Sequence, residues 1–572
     1  MQLAIRLIIL SCLIIAGAMC FRVSLSAQEG RLKTGDDSPS LEQSSTAALP
    51  ELPRILLDTS YVPPSGRLIN VAEGGNLQSA IDAAKPGDVI VLQPGATFIG
   101  NFILPAKFSD KTGDGEQWIV IRSAAPDSCL PQPGNRITPE YSDLLPKIIS
   151  PNGGAAIGTN EGAHHYRLIG LEIGVVVEED YNVNLVRLGD GSSLQNLLDV
   201  LPHDLIVDRC YIHGNKTGNV ARGVALNSAR TSIIDSYISE IHGVGFDTQA
   251  ICGWNGSGPF KIANNYLEAS GENIMFGGSD PSIFGLIPSD IEIRGNHLYK
   301  PLRWRIGSPE YDGMHWSVKN LLELKIVQRI LIEGNVLENN WGDGQAGFGL
   351  VFKSVNQDGK APWSVTRDVT FVNNVVRNSQ AGINLLGRDT NQPGDLMRRV
   401  MIRNNLWENI ADGFLQISDA PDVTVDHNTI LHRGQVISTY GLQSPGFVYT
   451  NNLSAHNEYG VKGDGQGTGN STITAYLPNS VFSRNVLAGG ISSDYPSNNF
   501  FPASLNDVRF VNTTEGIYRL AVASPYRQAG MDGKDLGCDF DALSKAILKV
   551  VNNSSLSRTN PLPNQLCGKA RM

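Results

Sequence analysis

Residues 330–337 read Ile-Leu-Ile-Glu-Gly-Asn-Val-Leu, and the pattern of this stretch recurs along the chain. Apolar residues stand five and three positions before Asn335, and another follows two positions after it. Full or nearly full copies surround six further asparagines: Asn265, Asn296, Asn374, Asn405, Asn428 and Asn452. Weaker copies centre on Arg209, Ser236 and Asn485. The shortest step between neighbouring copies is 428 − 405 = 23 residues. A repeat of this length predicts a solenoid, in which one turn of structure recurs with loops of variable length.

The repeat predicts a β-strand followed by a bend. Apolar residues at alternate positions, most of them β-branched, are typical of strands. Asparagine tolerates left-handed backbone geometry and can bond its own main chain, which suits a bend. In stacked coils the asparagines would form a ladder with a spacing of about 4.8 Å. A β-sandwich would give turn signals every 8–12 residues, but not one asparagine in one register. We therefore predict an all-β, single-stranded parallel β-helix with these asparagines in one column.

The N-terminal end of the predicted solenoid has a distinctive segment. Residues 76–84 have the apolar spacing of an amphipathic helix that begins after Asn76. Pro86-Gly87 ends this helix and a strand follows at 88–92. The asparagine repeat resembles the coils, and this order resembles the N-terminal cap, of the right-handed parallel β-helix, or pectin-lyase-like, superfamily of secreted proteins; the resemblance covers roughly residues 68–540 and implies a right-handed solenoid. The apolar spacing of the capping helix predicts four inward side chains: Leu77, Ala80, Ile81 and Ala84.

The chain divides into four segments by composition. Residues 1–27 have an apolar run and a small-residue cleavage site, which predicts a signal peptide and therefore a secreted, periplasmic or cell-surface protein. A lipid anchor at Cys20 or an uncleaved anchor are the alternatives. We expect a disordered leader at 28–65, the β-helix at 66–515, and a closing segment with a short helix and tail at 516–572. The mature chain is expected to have no transmembrane span and to be a monomer.

Charge and cysteine content exclude several classes of function. A net charge of −10 argues against nucleic acid as the main partner. The cysteines are widely spaced and odd in number after signal cleavage, so they predict no disulfide framework; Cys538–Cys567 is the one pair that we consider. No CxxC motif exists, and we predict no metal ligands. The cofactor is unknown: Gly-Asp-Gly triplets could hold calcium, but their spacing matches no calcium-binding repeat.

Three long insertions, at 300–317, 341–349 and 355–365, fall in consecutive coils and predict a binding wall there. The strands between them predict which side chains face outward. Leu322 and Leu324 face the core, so Glu323 and Lys325 should face out; in the next coil Lys353 should lie directly beside Lys325. Two neighbouring ammonium groups favour an anionic ligand, and we expect one of them to have a lowered pKa. The expected partner is therefore an anionic polysaccharide.

The sequence Ser317-Val318-Lys319 before an asparagine-bend coil resembles the lysine segment of the chondroitinase B and alginate lyase family. This resemblance implies that Lys319 is a catalytic base. The later Arg-His-Gly of that family is replaced by Phe352-Lys353-Ser354, which makes Lys353 the other base candidate. Arg388 would neutralise the substrate carboxylate. The expected substrate-binding residues are Lys325, Glu323, His315 and Trp316.

Two classes of function remain open from the sequence. The first is a secreted carbohydrate-active enzyme, namely a lyase of a uronate-containing polysaccharide, which uses a base and a cation at the substrate carboxylate. The second is a non-catalytic surface protein that binds glycans or is purely structural. A groove with recessed lysines favours the first class, and a flat wall with scattered lysines favours the second.

Overall fold

The computed structural model of the protein describes residues 47–107, 117–176, 180–389 and 391–556. The predicted signal peptide, the leader up to residue 46, the final tail and Cys567 lie outside the described residues. Among the described helices, none is long and apolar enough to cross a membrane.

Three parallel sheets, of 14, 13 and 12 strands, wind around one interior. We name them sheets A, B and C in the order in which each coil visits them. Within each sheet, a strand pairs with its equivalents in the neighbouring coils. For example, Val327–Glu333 pairs with Thr366–Val372 in a register that places Ile330 beside Val369. This arrangement is a parallel β-helix, so the predicted fold is confirmed.

The strands of sheet A are Leu68–Val71, Val89–Leu92, Ile119–Ser123, His164–Ile169, His203–Asp208, Ala229–Ile234, Gly258–Ala263, Ser289–Arg294, Val327–Glu333, Thr366–Val372, Arg398–Arg403, Val423–Asp426, Val448–Thr450 and Val481–Ser483. Those of sheet B are Thr97–Ile99, Lys147–Ser150, Glu172–Val175, Tyr211–His213, Tyr237–Ile241, Tyr266–Ala269, His297–Tyr299, Val336–Asn340, Val375–Ser379, Leu406–Ile410, Thr429–His432, Leu453–Ala455 and Val486–Ala488. Those of sheet C are Phe102–Leu104, Ile157–Thr159, Val186–Gly189, Arg222–Asn227, Gln249–Gly253, Glu272–Phe276, Leu322–Leu324, Phe348–Lys353, Ala381–Leu386, Leu415–Ser418, Ile437–Thr439 and Val461–Gly463.

The remaining described elements are short. Tyr181–Asn182 pairs with Asn219–Val220 in a parallel ladder, and Phe510–Asn512 pairs with Ile517–Leu520 in an antiparallel one. The α-helices are Leu77–Ala83, Asn470–Tyr476 and Phe540–Leu556.

An asparagine ladder runs through the bend between sheets A and B. The side chain of Asn335 accepts hydrogen bonds from the backbone N–H (2.9 Å) and the Nδ2 (3.0 Å) of Asn296. Its own Nδ2 donates to the carbonyl of Ile293 and to Asn374 Oδ1, both at 2.9 Å. The same bonds continue through all seven predicted members, which are fully buried, and on to Asn485 and Asn499. The predicted single column is therefore confirmed.

Two details of the bend differ from the sequence prediction. The left-handed residue is not the ladder asparagine but the residue before it, such as Gly334 (φ 67°) and Asn373 (φ 56°). The weak repeat predicted to centre on Arg209 centres one position later, since the backbone N–H of Cys210 donates to Ser236 Oγ. Arg209 is the left-handed residue of that bend (φ 48°). Because Cys210, and not an asparagine, occupies the ladder position in this coil, the sequence pattern indicated a register that is wrong by one residue.

The N-terminal end of the solenoid is covered as predicted. Asn76 caps helix Leu77–Ala83, because its side chain accepts the backbone N–H of Ser79 at 2.9 Å. The four predicted inward side chains are buried against the first coils: Leu77, Ala80, Ile81 and Ala84. This helix shields apolar core that the first coil would otherwise expose.

Residues 47–64, predicted to belong to a disordered leader, instead lie along sheet A. The backbone N–H groups of Ala48, Glu51 and Arg54 donate to three aspartates, each two coils from the next: Asp422, Asp368 and Asp290, at 3.4, 3.1 and 2.9 Å. Three residues of polyproline-type chain rise about 9.3 Å, which matches two coils at about 4.8 Å each. The sequence prediction was wrong for this segment. The segment has no apolar periodicity, and hydrogen bonds from its backbone to the solenoid leave no pattern in its sequence.

The C-terminal helix Phe540–Leu556 packs on sheet B through Leu543 and Val550. It is longer than the short helix that the sequence predicted. Cys538 lies in the same cluster as a buried free thiol, and Cys567, the partner that we considered for it, lies outside the described residues.

Replacing Asn335 by alanine should destabilise the protein strongly. The substitution leaves the buried donors of Asn296 and the acceptor of Asn374 without their partner, and each buried unsatisfied group costs about 1–3 kcal/mol. Thermal or denaturant unfolding measures the effect. Asn506→Ala is the control, because Asn506 is exposed and its backbone is not left-handed. Equal stability of the two variants would contradict the structural role of the ladder.

Candidate functional site

Sheet C has long insertions at both of its margins. One margin lies where the chain enters the strands of sheet C, and we call it the strand-entry margin. There the insertions at 300–317 and 341–349 meet, and the backbone N–H of Gly344 donates to Val318 O at 2.9 Å. On the side where strands leave, Asp280 accepts backbone N–H groups of the 355–365 insertion. The three insertions therefore lie at two opposite margins of one face. They flank the outer face of sheet C, which we call the sheet C face.

Lys325 and Lys353 extend from equivalent positions on this face, because Leu324 pairs in register with Phe352. The carboxylate of Glu323 serves both lysines: its Oε1 lies 3.4 Å from Lys325 Nζ and 3.5 Å from Lys353 Nζ. Although Glu323 is on the outer face, it is completely buried. A shared carboxylate offsets the repulsion that two neighbouring ammonium groups would otherwise feel.

Lys319 joins the same group of charges from the strand-entry margin. It forms an ion pair with Asp247 and lies 4.0 Å from the carboxylate of Glu272. Glu272 is completely buried and accepts a hydrogen bond from Gln249 at 2.8 Å. Burial, with Glu323 and Asp247 nearby, raises the pKa of Glu272 to about 7. We call Lys319, Lys325 and Lys353 the lysine cluster.

The lysine cluster is recessed. The exposed fractions of its side chains are 18% for Lys319, 12% for Lys325 and 23% for Lys353. Burial alone would lower the pKa of Lys325, but the carboxylates of Glu323, Glu272 and Asp247 outweigh it and the pKa is raised. The expectation of a lowered pKa is therefore wrong for Lys325, which stays protonated at neutral pH.

Lys300 was not among the predicted site residues, yet it is the most deeply buried lysine beside the cluster. Its ammonium donates to the carbonyls of Ala269, Ser270 and Gly271, at 2.9, 3.0 and 2.5 Å. Burial lowers the pKa of Lys300 to about 7, and Glu272 opposes that shift. Because Lys300 binds the turn that leads into strand Glu272–Phe276, it positions Glu272 rather than facing solvent.

His315 lies at the strand-entry margin, where the 341–349 insertion connects it to the lysine cluster. Its Nε2 lies 2.7 Å from Asp343 Oδ1, and Asp343 Oδ2 accepts the backbone N–H of Val318 at 2.9 Å. The next residue, Gly344, packs against the side chain of Lys319. His315 is 59% exposed, so a bound ligand can reach it.

Trp316 is buried, which argues against its predicted role in substrate binding. It packs with Trp304, Trp341 and Val318, and its ring stacks on His242 at a centroid distance of 3.8 Å. The tryptophans of the insertions thus anchor the strand-entry margin. On the other margin, Phe284 is 88% exposed and meets Trp363 edge-on, which the sequence reasoning missed.

Arg388 follows the sheet C strand of the next coil and pairs with Asp419 at 3.3 Å. Its side chain is 42% exposed. Arg388 therefore pairs with Asp419 and not with Glu323, the carboxylate that Lys325 and Lys353 share. Lys325 is therefore the better-placed cation for a ligand carboxylate at the lysine cluster.

No protein-family model and no curated protein matches the sequence. Solved structures with a similar fold include the catalytic unit of a GH87 α-1,3-glucanase from Streptomyces thermodiastaticus (12% identity, 75% of this chain and 70% of that chain, TM-score 0.47). They also include a family PL6 alginate lyase (13%, 82% and 58%, TM-score 0.42) and a pectate lyase (14%, 82% and 96%, TM-score 0.34). Similarity at this level carries no argument about activity.

Replacing Glu272 by glutamine should change how stability depends on pH. Because the folded-state pKa of Glu272 is raised from 4.5 to about 7, its favourable contribution is complete below pH 4.5 and is lost as pH rises through 7. The stability of the parent relative to Glu272→Gln should therefore fall by about 3 kcal/mol between pH 4.5 and 7.5.

Denaturant unfolding at several pH values measures this difference. Glu515→Gln is the control, because Glu515 is exposed and the same change there should leave the pH profile unchanged. A pH-independent difference between the parent and Glu272→Gln would show that Glu272 is ionised in the folded protein throughout the range.

Proposed function

We propose that the protein is a carbohydrate-active enzyme that cleaves a uronate-containing polysaccharide by β-elimination on the sheet C face. The observation that carries the proposal is the lysine cluster: three recessed lysines from two successive coils that converge on buried carboxylates. Recessed cations between two loop margins are what an acidic chain-like ligand requires, whereas scattered surface lysines are not.

The roles follow from the charges. Lys325, whose raised pKa keeps it protonated, neutralises the uronate carboxylate and so acidifies the carbon beside it. Lys319 or Lys353 in its neutral form takes the proton from that carbon. The electron pair forms the carbon–carbon double bond as the glycosidic C–O bond breaks, and the departing oxygen takes up a proton. Glu323 and Glu272 hold the lysines in place from beneath.

One observation favours the second candidate, a protein that binds glycans without cleaving them. Every lysine of the cluster already has a carboxylate partner, so the site carries little net positive charge before a ligand arrives. An acidic ligand then gains less from electrostatic attraction than three free lysines would offer. Binding without product is the result that this candidate predicts.

The test is incubation with alginate, pectate and chondroitin while the absorbance of the unsaturated product is followed. The parent should release product from at least one polymer. Replacing the base, by Lys319→Ala or Lys353→Ala, should lower kcat by about 10²–10⁴-fold. Lys325→Ala should raise KM in addition to lowering kcat, because it removes the cation that binds the carboxylate of the substrate.

Lys462→Ala is the matched control, since Lys462 follows Val461 on the sheet C strand of a distant coil. It should behave like the parent. Binding of a polymer without product by the parent would replace the lyase with the non-catalytic candidate. Full activity of all three cluster variants would place the chemistry elsewhere.

A further inference from the structure

Four polar residues meet on sheet A, far along the chain from the lysine cluster. His164 and His165 begin strand His164–Ile169, and His203 and Asp204 begin the neighbouring strand of the next coil. His203 is paired in register with His164, and their rings stack at a centroid distance of 5.0 Å. His165 and Asp204 both have left-handed backbones, with φ of 57° and 52°. This conformation interrupts the strand alternation, so consecutive side chains meet on one face.

The hydrogen bonds within this group conflict. His203 Nδ1 lies 2.7 Å from Asp204 Oδ2, which accepts, and 2.9 Å from Arg230 Nη2, which only donates. One ring nitrogen cannot be protonated for the first contact and carry a lone pair for the second. His164 Nδ1 and His165 Nδ1 face each other at 2.9 Å, so only one of them can hold the proton. In no protonation state do all these short contacts become hydrogen bonds.

A metal ion would resolve the conflict, because it takes lone pairs from the imidazole nitrogens and the carboxylate oxygen and needs no proton between them. His165, His203 and Asp204 each offer one ligand atom, and these atoms lie within 4.8 Å of one another. Among the described residues, this is the one group of three histidine, cysteine or carboxylate side chains that meets this condition. We propose that His165, His203 and Asp204 bind a divalent transition metal ion of the zinc class, with His164 as a fourth donor.

The donor set determines the class of ion. Imidazole nitrogens with one carboxylate suit zinc, copper or nickel, whereas calcium and magnesium take oxygen ligands. Zinc bonds of about 2.0–2.2 Å place tetrahedral donors about 3.3 Å apart. The side chains are partly exposed and their ligand atoms lie within 4.8 Å of one another, so ion binding requires them to rotate toward that spacing. The bound ion would join two successive coils and so stabilise this end of the solenoid.

Arg230 is the competitor for the site. It holds Asp204 through two nitrogens, with distances of 2.9 and 2.6 Å, and its side chain is 48% exposed. The guanidinium can therefore swing into solvent when an ion takes its place. The absence of a CxxC motif could not reveal this site, because its ligands are histidines and an aspartate. They lie on two strands that become neighbours only when the coils stack.

The test is isothermal titration of the tag-free, metal-free protein with ZnCl2, together with thermal unfolding with and without zinc. One zinc ion should bind per chain and raise Tm. His165→Ala and His203→Gln should each weaken binding at least about tenfold. Arg230→Ala should bind zinc as tightly as the parent or more tightly, because it removes the competing cation.

His315→Ala is the control, since it removes an exposed histidine outside the group and should leave zinc binding unchanged. Titration of the wild-type protein with Co2+ adds a readout that needs no variant: visible bands of four-coordinate cobalt should appear. Absence of stoichiometric zinc binding by the parent, or unchanged binding in both ligand variants, overturns the proposal. If Arg230→Ala loses stability and the parent binds no zinc, the group is an ion-pair network only.

Discussion

The structure depends on one hydrogen-bonded constraint, the meeting of each coil's bend with the next through an asparagine side chain. Each ladder asparagine satisfies a backbone N–H of the preceding coil and a buried carbonyl, so no bend can shift without orphaning buried polar groups. The left-handed residue before it turns the chain from sheet A into sheet B. Because the bend is fixed, loops elsewhere in a coil can grow freely. This freedom allows long insertions before and after the strands of sheet C, while sheets A and B stay regular.

A fixed register also decides which charges meet. Side chains on neighbouring coils are about 4.8 Å apart, so like charges at equivalent positions must be compensated. On sheet C the compensation is a buried glutamate between Lys325 and Lys353. On sheet A it is an alternation of aspartate and arginine, seen in the Asp290–Arg329 and Asp368–Arg399 pairs. The aspartates of that column also hold residues 47–64, so one device of the repeat serves both the solenoid and its N-terminal segment.

The sequence predicts what repeats and misses what does not. The period-2 apolar pattern was enough to place the asparagine column and to put Lys325 beside Lys353. It could not predict the burial of Glu272 or the place of Lys300, whose partners are carbonyls of the coil before it. The insertions have no period, so the sequence could not decide whether Trp316 is exposed or buried; His242 and two other tryptophans pack against it. A sequence signal for Lys300 did exist, as a lone lysine at the exact start of an insertion.

We propose that the sheet C face binds an acidic polysaccharide through the lysine cluster. The most direct measurement is a crystal structure of Lys319→Ala grown with trisaccharides of mannuronate, guluronate or galacturonate. We expect a sugar chain between the two insertion margins, with a uronate carboxylate in hydrogen-bond contact with Lys325 Nζ. A trisaccharide bound on sheet A or sheet B, or one whose carboxylates avoid all the lysines of the cluster, would contradict it.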